Sequence, residues 1–223
     1  MELVVRDARP GEGRRFEEIR IAGWRAAYTG LMDPTFLAAL VVDEERVARR
    51  ERWIGSPVRG EVMLVADAGG VVVGGAFLLP CRDDDVEDTA ELAALYVDPD
   101  VRGSGAGSAL LDAGLDRMSE PRQVLWTLEG NVPARRFYER RGFVLDGARK
   151  PLDVPGRPYE VRYRRCRPTW ALRWPWRRSA AGRAGRVPHR STRGRLGRRL
   201  GRRPRRRPRR RRGQGRWRSS GPT

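Results

Sequence analysis

Lysine occurs once in the 223 residues, as Lys150, so the 47 basic side chains are practically all arginine, a bias that GC-rich coding alone also produces. A nucleotide P-loop of the form GxxxxGK[ST] needs a lysine behind its glycines, and its absence removes that design. Cysteine is almost as scarce. Cys81 and Cys166 lie far apart, with no CxxC pair and no Cys/His cluster, which argues against a disulfide framework and a metal site; no metal is expected. No apolar run approaches the length of a membrane span, and the opening MELVVRDARPGEGRRF lacks a basic segment followed by an apolar one. The expectation is a reduced, soluble, cytoplasmic protein with no membrane span.

Acidic residues disappear altogether from Arg167 onward, a stretch that holds 22 of the 47 basic residues. The preceding part carries the other 25 against all 28 acidic residues, so the formal charge of +19 belongs to the tail and the fold gives no push toward nucleic acid. The length suits one ordinary core plus a tail, divided here as a domain over 1–166 and an arginine-rich, low-complexity, disordered tail over 167–223. Such a tail offers nonspecific binding of nucleic acid or an anionic surface, with strong salt dependence. An out-of-frame translation of GC-rich sequence is the alternative, and an extension without a dedicated role is the expectation.

Along the first part, Met1 to Arg6 reads as a strand, and GEGRRFEEIRIAGWRAAY has near-helical apolar spacing. Asp33-Pro34 and Asp43 are helix-opening signals. Val62–Ala68 and Val71–Pro80 are β-branched runs around a glycine pair, a hairpin signal. The strand TAELAALYV, a glycine loop with its helix, the strand QVLWTL, the helix NVPARRFYERRGF, and the strands FVLDGAR and YEVRYRR follow. The resulting order is β, α, α, β, β, β, α, β, α, β, β, an α/β class in which LAALYV and VLWTL lie parallel across a crossover helix.

The glycine loop is VRGSGAGSALL, residues 101 to 111. Bare backbone between a strand and a helix lets amides approach an anion, and the helix N-terminus adds free N–H groups and partial positive charge. A phosphate or diphosphate is the expected guest. The dinucleotide fingerprint GxGxxG would need glycine where this chain has Ser108, although Glu129 stands near the ~20-residue offset of its ribose-binding carboxylate, so that design is weakened and stays open. A third design, Arg-x-x-Gly-x-Gly, fits RGSGAG from Arg102 to Gly107 residue for residue.

That stretch resembles the acetyl-CoA loop of the GCN5-related N-acetyltransferase (GNAT) superfamily. LYVDPDVRGSGAGSALL is similar to the superfamily's strand-loop-helix motif, and GNVPARRFYERRGF resembles its second signature, where an Asn opens a helix ending in Tyr-Glu-x-x-Gly-Phe. The resemblance covers about Glu2 to Arg165. It implies a mixed, mostly antiparallel central sheet with a splayed parallel strand pair and flanking helices.

The resemblance also implies an N-acetyltransferase that uses acetyl-CoA as cosubstrate and a primary amine, on a small molecule or a protein N-terminus, as acceptor, by direct attack in a ternary complex; the alternative is a nucleic-acid-associated protein that binds through its arginine-rich tail, with an inactive or secondary acetyltransferase-like domain. The diphosphate would rest on Arg102, Gly103, Ser104, Gly105, Ala106, Gly107 and Ser108. The pantetheine arm would lie along Leu95, Tyr96 and Val97, with a strand N–H near Tyr96 or Val97 stabilising the oxyanion. Asn131 would contact the cofactor while also capping its helix. Phe137 and Tyr138 stand about 100° apart on that helix, so one of them faces something other than a shared core. The resemblance gives Tyr138 the role of protonating the leaving thiolate, for which a phenol of ordinary pKa about 10 suits a thiol of about 8.5. A half-buried structural tyrosine is the competing reading. Glu91 is the expected base, with Glu129 and water as alternatives. Trp24 and Tyr28, one turn apart, would line the acceptor pocket, a spacing that core pairs share. No motif encodes the identity of the amine or the oligomeric state.

Overall fold

The computed structural model describes residues 2–58 and 60–166. The tail over 167–223, with its proposed disorder and anion binding, lies outside the described residues.

The elements are β1 (Leu3–Asp7), α1 (Gly13–Tyr28), α2 (Pro34–Ala39), α3 (Glu44–Gly55), β2 (Val62–Ala68), β3 (Val71–Pro80), β4 (Thr89–Val97), α4 (Ala106–Arg117), β5 (Arg122–Leu128), α5 (Val132–Glu139), β6 (Val144–Pro151) and β7 (Tyr159–Cys166). Three helices, not two, precede β2. The two aspartates open separate ones: Asp33 Oδ1 accepts from Phe36 N at 2.8 Å, and Asp43 Oδ1 accepts from Glu45 N at 2.9 Å. The β2–β3 turn places Gly69 and Gly70 at φ 66° and 91°, conformations that a two-residue hairpin turn needs and glycine supplies.

One seven-stranded sheet results, in the order β1-β2-β3-β4-β5-β7-β6. Every pair is antiparallel except β4 and β5, which are parallel and joined through α4. Alternate residues of the central strands feed two cores. On one face Leu64, Ala76 and Leu78 pack with Leu110, Leu111 and Leu115 of α4. On the other, Met63, Phe77 and Leu79 meet Phe16 of α1 and Trp53 of α3, whose ring stacks on Phe77 with centroids 4.6 Å apart. Glu17, fully buried, ties α1 to α3 by accepting from Arg20 Nε at 2.9 Å and Arg50 Nη2 at 2.9 Å.

The parallel pairing is short. It runs from Thr89↔Arg122 to Leu92↔Leu125 and ends there, although β4 continues to Val97 and β5 to Leu128. At that point β4 carries a bulge: Phe77 pairs with Ala94 and Leu78 with Leu92, leaving Ala93 as the extra residue. A bulge bends its strand and resets side-chain alternation. Accordingly Ala90, Leu92, Leu95 and Val97 all pack on the α4 side, while Ala93, Ala94 and Tyr96 pack on the α1 side. The two strands part as a wedge.

Candidate active site

The wedge holds a cleft of about 610 Å³, lined by β4 from Leu92 to Val97 on one side and by Trp126 and Thr127 of β5 on the other. Arg102, Gly103, Gly107, Asn131, Phe137 and Tyr138 border it at the α4 and α5 side; Trp24, Tyr28, Leu152 and Glu160 border it at the α1 side.

At the first border a one-turn 3₁₀ helix, Pro99–Val101, leads into the glycine loop, where Gly103 and Gly105 adopt φ 85° and 90°. These left-handed residues turn the chain into α4, whose N-cap is Gly105 itself. Ser104 Oγ reaches Ala106 N at 3.4 Å, but among the described residues no acceptor takes the amides of Gly103, Gly105, Gly107 or Ser108. A Cβ on Gly107 would stand 3.4 Å from Val97 Cγ2, so glycine lets the helix start close against β4. Arg102 has no ion pair among the described residues. Free amides, a helix N-terminus and an unpaired guanidinium fit a diphosphate.

The next part of the cleft is the β4 edge beyond Leu92. Asp98 N donates to Val73 O at 2.8 Å, toward β3. By strand alternation Tyr96 also turns its backbone to β3, and the N–H groups of Leu95 and Val97 face the open edge. Of the two expected oxyanion donors, Val97 is the one aimed at the cleft.

Asn131 is 8% exposed and caps α5, its Oδ1 accepting from Ala134 N at 3.3 Å. Gly142, at φ 79°, closes the helix, and Phe143 N donates back to Tyr138 O at 3.1 Å. Phe137 and Tyr138 both line the cleft and both touch the α4-side core, so neither leaves it entirely. Tyr138 is half-buried, its ring packs on Phe143 at 6.0 Å, and its hydroxyl has no hydrogen-bond partner among the described residues. Burial, and then the nearby Tyr96 phenol, push its pKa well above the ordinary value. The proton is therefore held throughout the neutral range.

Trp24 and Tyr28 lie at once in a core cluster and at the cleft wall. Their rings meet edge to face at 5.3 Å and pack with Met32, Leu37 and Leu128, while both also line the cleft. Tyr96 sends its ring to the same side, 6.0 Å from Phe16, with its hydroxyl 3.4 Å from Trp24 Nε1.

Glu91 is not brought into the lining. It is 4% exposed, and Arg82 holds both oxygens, with Nε to Oε2 at 2.9 Å and Nη2 to Oε1 at 2.5 Å. Glu129 is likewise outside the lining and pairs with Arg149 at 2.7 Å. The carboxylate that does line the cleft is Glu160 of β7, which sequence reasoning passed over. Trp126, also in the lining, was missed as well, and so was Arg141, which lies outside the lining beside the glycine loop, its Nη2 donating to Ser108 Oγ and its guanidinium 4.9 Å from the Phe137 ring centre.

Among the described residues no helix is long and apolar enough to cross a membrane, and no group of three or more His, Cys, Asp or Glu residues is placed to hold a metal.

Residues 24–143 match the model of the Acetyltransferase (GNAT) family. A probable N-acetyltransferase of Mycobacterium tuberculosis is 30% identical over 166 residues, 73% of this chain and 92% of that one. Among solved structures, the PaiA N-acetyltransferase of Thermoplasma acidophilum, in complex with coenzyme A, has a TM-score of 0.61 at 18% identity and covers 75% of this chain and 100% of its own. The Salmonella typhimurium protein YncA, solved with its cofactor acetyl-CoA, has a TM-score of 0.56 at 20% identity over 74% of this chain and 94% of its own.

Proposed function

This chain belongs to the GNAT family of acetyltransferases, and on that premise we propose that it moves an acetyl group from acetyl-CoA to a primary amine in a ternary complex. The observation that carries the reading is one continuous cleft in which free loop amides, an open strand edge and a protonated phenol follow one another. Two structural neighbours crystallised with coenzyme A or acetyl-CoA support it.

Acetyl-CoA supplies an acetyl group activated as a thioester. The amides from Gly103 to Ser108, with Arg102, hold the diphosphate, and Asn131 borders the arm. Leu95 and Val97 bind that arm through the free edge of β4, as an added strand would be bound. The Val97 N–H, fixed in the sheet, gives its hydrogen bond to the thioester oxygen as charge develops there. Tyr138 delivers its proton to the departing sulfur. Neither Cys81 nor Cys166 lines the cleft, so direct attack by the amine is favoured over a covalent acyl-enzyme. Trp24 and Tyr28 wall the acceptor side, and residues 1–166 suffice for the reaction.

The test is release of free CoA thiol when the chain is given acetyl-CoA and a panel of primary amines. Amine-dependent release is the expected result; binding of acetyl-CoA with no release for any amine contradicts it.

A further inference from the structure

Among the described residues Glu160 is the one acidic residue in the lining of the cleft. It enters from β7, opposite Leu128 of β5 and Lys150 of β6, and it is half-buried. Its carboxylate has no hydrogen bond or ion pair among the described residues. The cations nearby are engaged elsewhere. Lys150 Nζ lies 3.8 Å from the Trp126 ring centre and 3.9 Å from Asp83 Oδ1, and Arg82 is bidentate on Glu91. Burial pushes the Glu160 carboxyl up; Lys150 from β6 and Arg82 from the β3–β4 loop oppose this, and Glu91 from β4 adds to it. The Tyr28 phenol of α1 is a further titratable neighbour.

Six aromatic side chains line the cleft with this carboxylate, Phe137 and Tyr138 from α5 and Trp24, Tyr28, Tyr96 and Trp126 from α1, β4 and β5, together with Leu152. Lys150 and Arg162 already stand over Trp126 and Arg20 over Trp24, so the cation-attracting faces are those of Tyr28 and Tyr96, while all the rings offer their area to an apolar body. Among the described residues no free cation lines the acceptor half; the unpaired Arg102 lies at the diphosphate border.

We propose that Glu160 receives the ammonium of the acceptor and takes its first proton, and that the acceptor is a primary amine on an apolar or aromatic body with no carboxylate beside the nitrogen. The inference rests on the acetyltransferase reading above. Glu160 then releases that proton to solvent through the open cleft. The freed nitrogen lone pair forms the C–N bond, the C–S bond breaks with its electron pair on sulfur, and sulfur takes the Tyr138 proton. The second proton shed by the nitrogen restores Tyr138, so the balance is amide, free thiol and one proton. A carboxylate beside the amine would meet Glu160 and no countercharge.

The full chain is assayed by thiol release with 2-phenylethylamine, hexylamine and phenylalanine, and by calorimetric titration of acetyl-CoA. Glu160→Gln is expected to raise the KM for 2-phenylethylamine by about 30-fold or more, the scale for removing one partner of a desolvated charge pair. It should also abolish the acid limb of kcat/KM against pH and leave acetyl-CoA affinity unchanged. Glu160→Asp should recover part of the activity, and it carries the test if the Gln variant fails to fold by circular dichroism. Phenylalanine, the same amine with a carboxylate added, should be a poor acceptor. An unchanged KM and pH profile in Glu160→Gln, or phenylalanine used as well as 2-phenylethylamine, overturns the proposal. A wild-type chain that binds acetyl-CoA but acetylates neither simple amine overturns the substrate class alone, whereas one that binds no acetyl-CoA overturns the reading beneath it.

Discussion

The Asp98 amide donates to the Val73 carbonyl at 2.8 Å, and this one bond fixes which β4 amides face the cleft. Because donors alternate along a strand, Val97 N–H points to the edge that β5 abandons after Leu125. Val97→Pro removes that donor without touching the β3 ladder, a replacement tolerated at a free edge. Steady-state assays should show kcat lowered by about 10²-fold or more, the scale for losing an oxyanion donor. Because Val97 also packs on the α4-side core, the melting temperature should fall as well, and acetyl-CoA affinity measured on the folded variant separates the lost donor from a structural defect.

Tyr138→Phe removes a hydroxyl that makes no hydrogen bond among the described residues, so thermal stability should be preserved. Loss of a general acid typically costs about 10²- to 10⁴-fold, and kcat should fall by that order while acetyl-CoA affinity holds. The pH profile carries a further sign. The phenol acts when protonated and its pKa is raised by burial and by Tyr96, so the wild type should show no alkaline limb from this group at or below its ordinary value of about 10.

Glu17 is held by Arg20 and Arg50 in the α1–α3 interface. Burial pushes its carboxyl up, but hydrogen bonds from the two guanidiniums outweigh this and hold it below the usual range. A carboxyl lowered in the folded state contributes stability above its unfolded value of about 4.3 and loses it as pH falls through the lower folded value. Glu17→Gln leaves two buried guanidiniums unpaired, at a cost of about 3–5 kcal/mol, which lowers the melting temperature by roughly 10 °C in a domain of this size. Acid melts of wild type and variant should begin to converge as pH falls below the unfolded value of about 4.3 and should meet only below the lower folded value.

Much of this was legible in the chain. Val62–Ala68, Val71–Pro80 and Thr89–Val97 fall where the β-branched runs and their glycine or proline stops put them. The glycine loop was readable because Gly103 and Gly105 sit at φ values other residues avoid, and Asn131 because an N-cap is a local device. The carboxylates were not. Glu91 stands close to the loop in sequence, yet the fold hands it to Arg82, and the bulge at Ala93 breaks the two-residue period by which its facing would be judged. Glu160 lies 69 residues further on and reaches the cleft only through the β5–β7 register, a long-range pairing with no local signature. Trp126 and Arg141 depend on the same kind of tertiary placement.

The most direct measurement is a calorimetric titration of acetyl-CoA, with NAD in parallel, into the wild-type chain and Gly105→Val. A valine side chain at φ 90° costs about 1–2 kcal/mol in backbone strain and disturbs the loop amides. Saturable acetyl-CoA binding by the wild type, weakened about tenfold or more in the variant, with NAD silent, is the expected result; each 1.4 kcal/mol is one such factor. A wild-type chain that ignores acetyl-CoA, or a Gly105→Val chain that binds it equally well, would contradict the assignment of this loop.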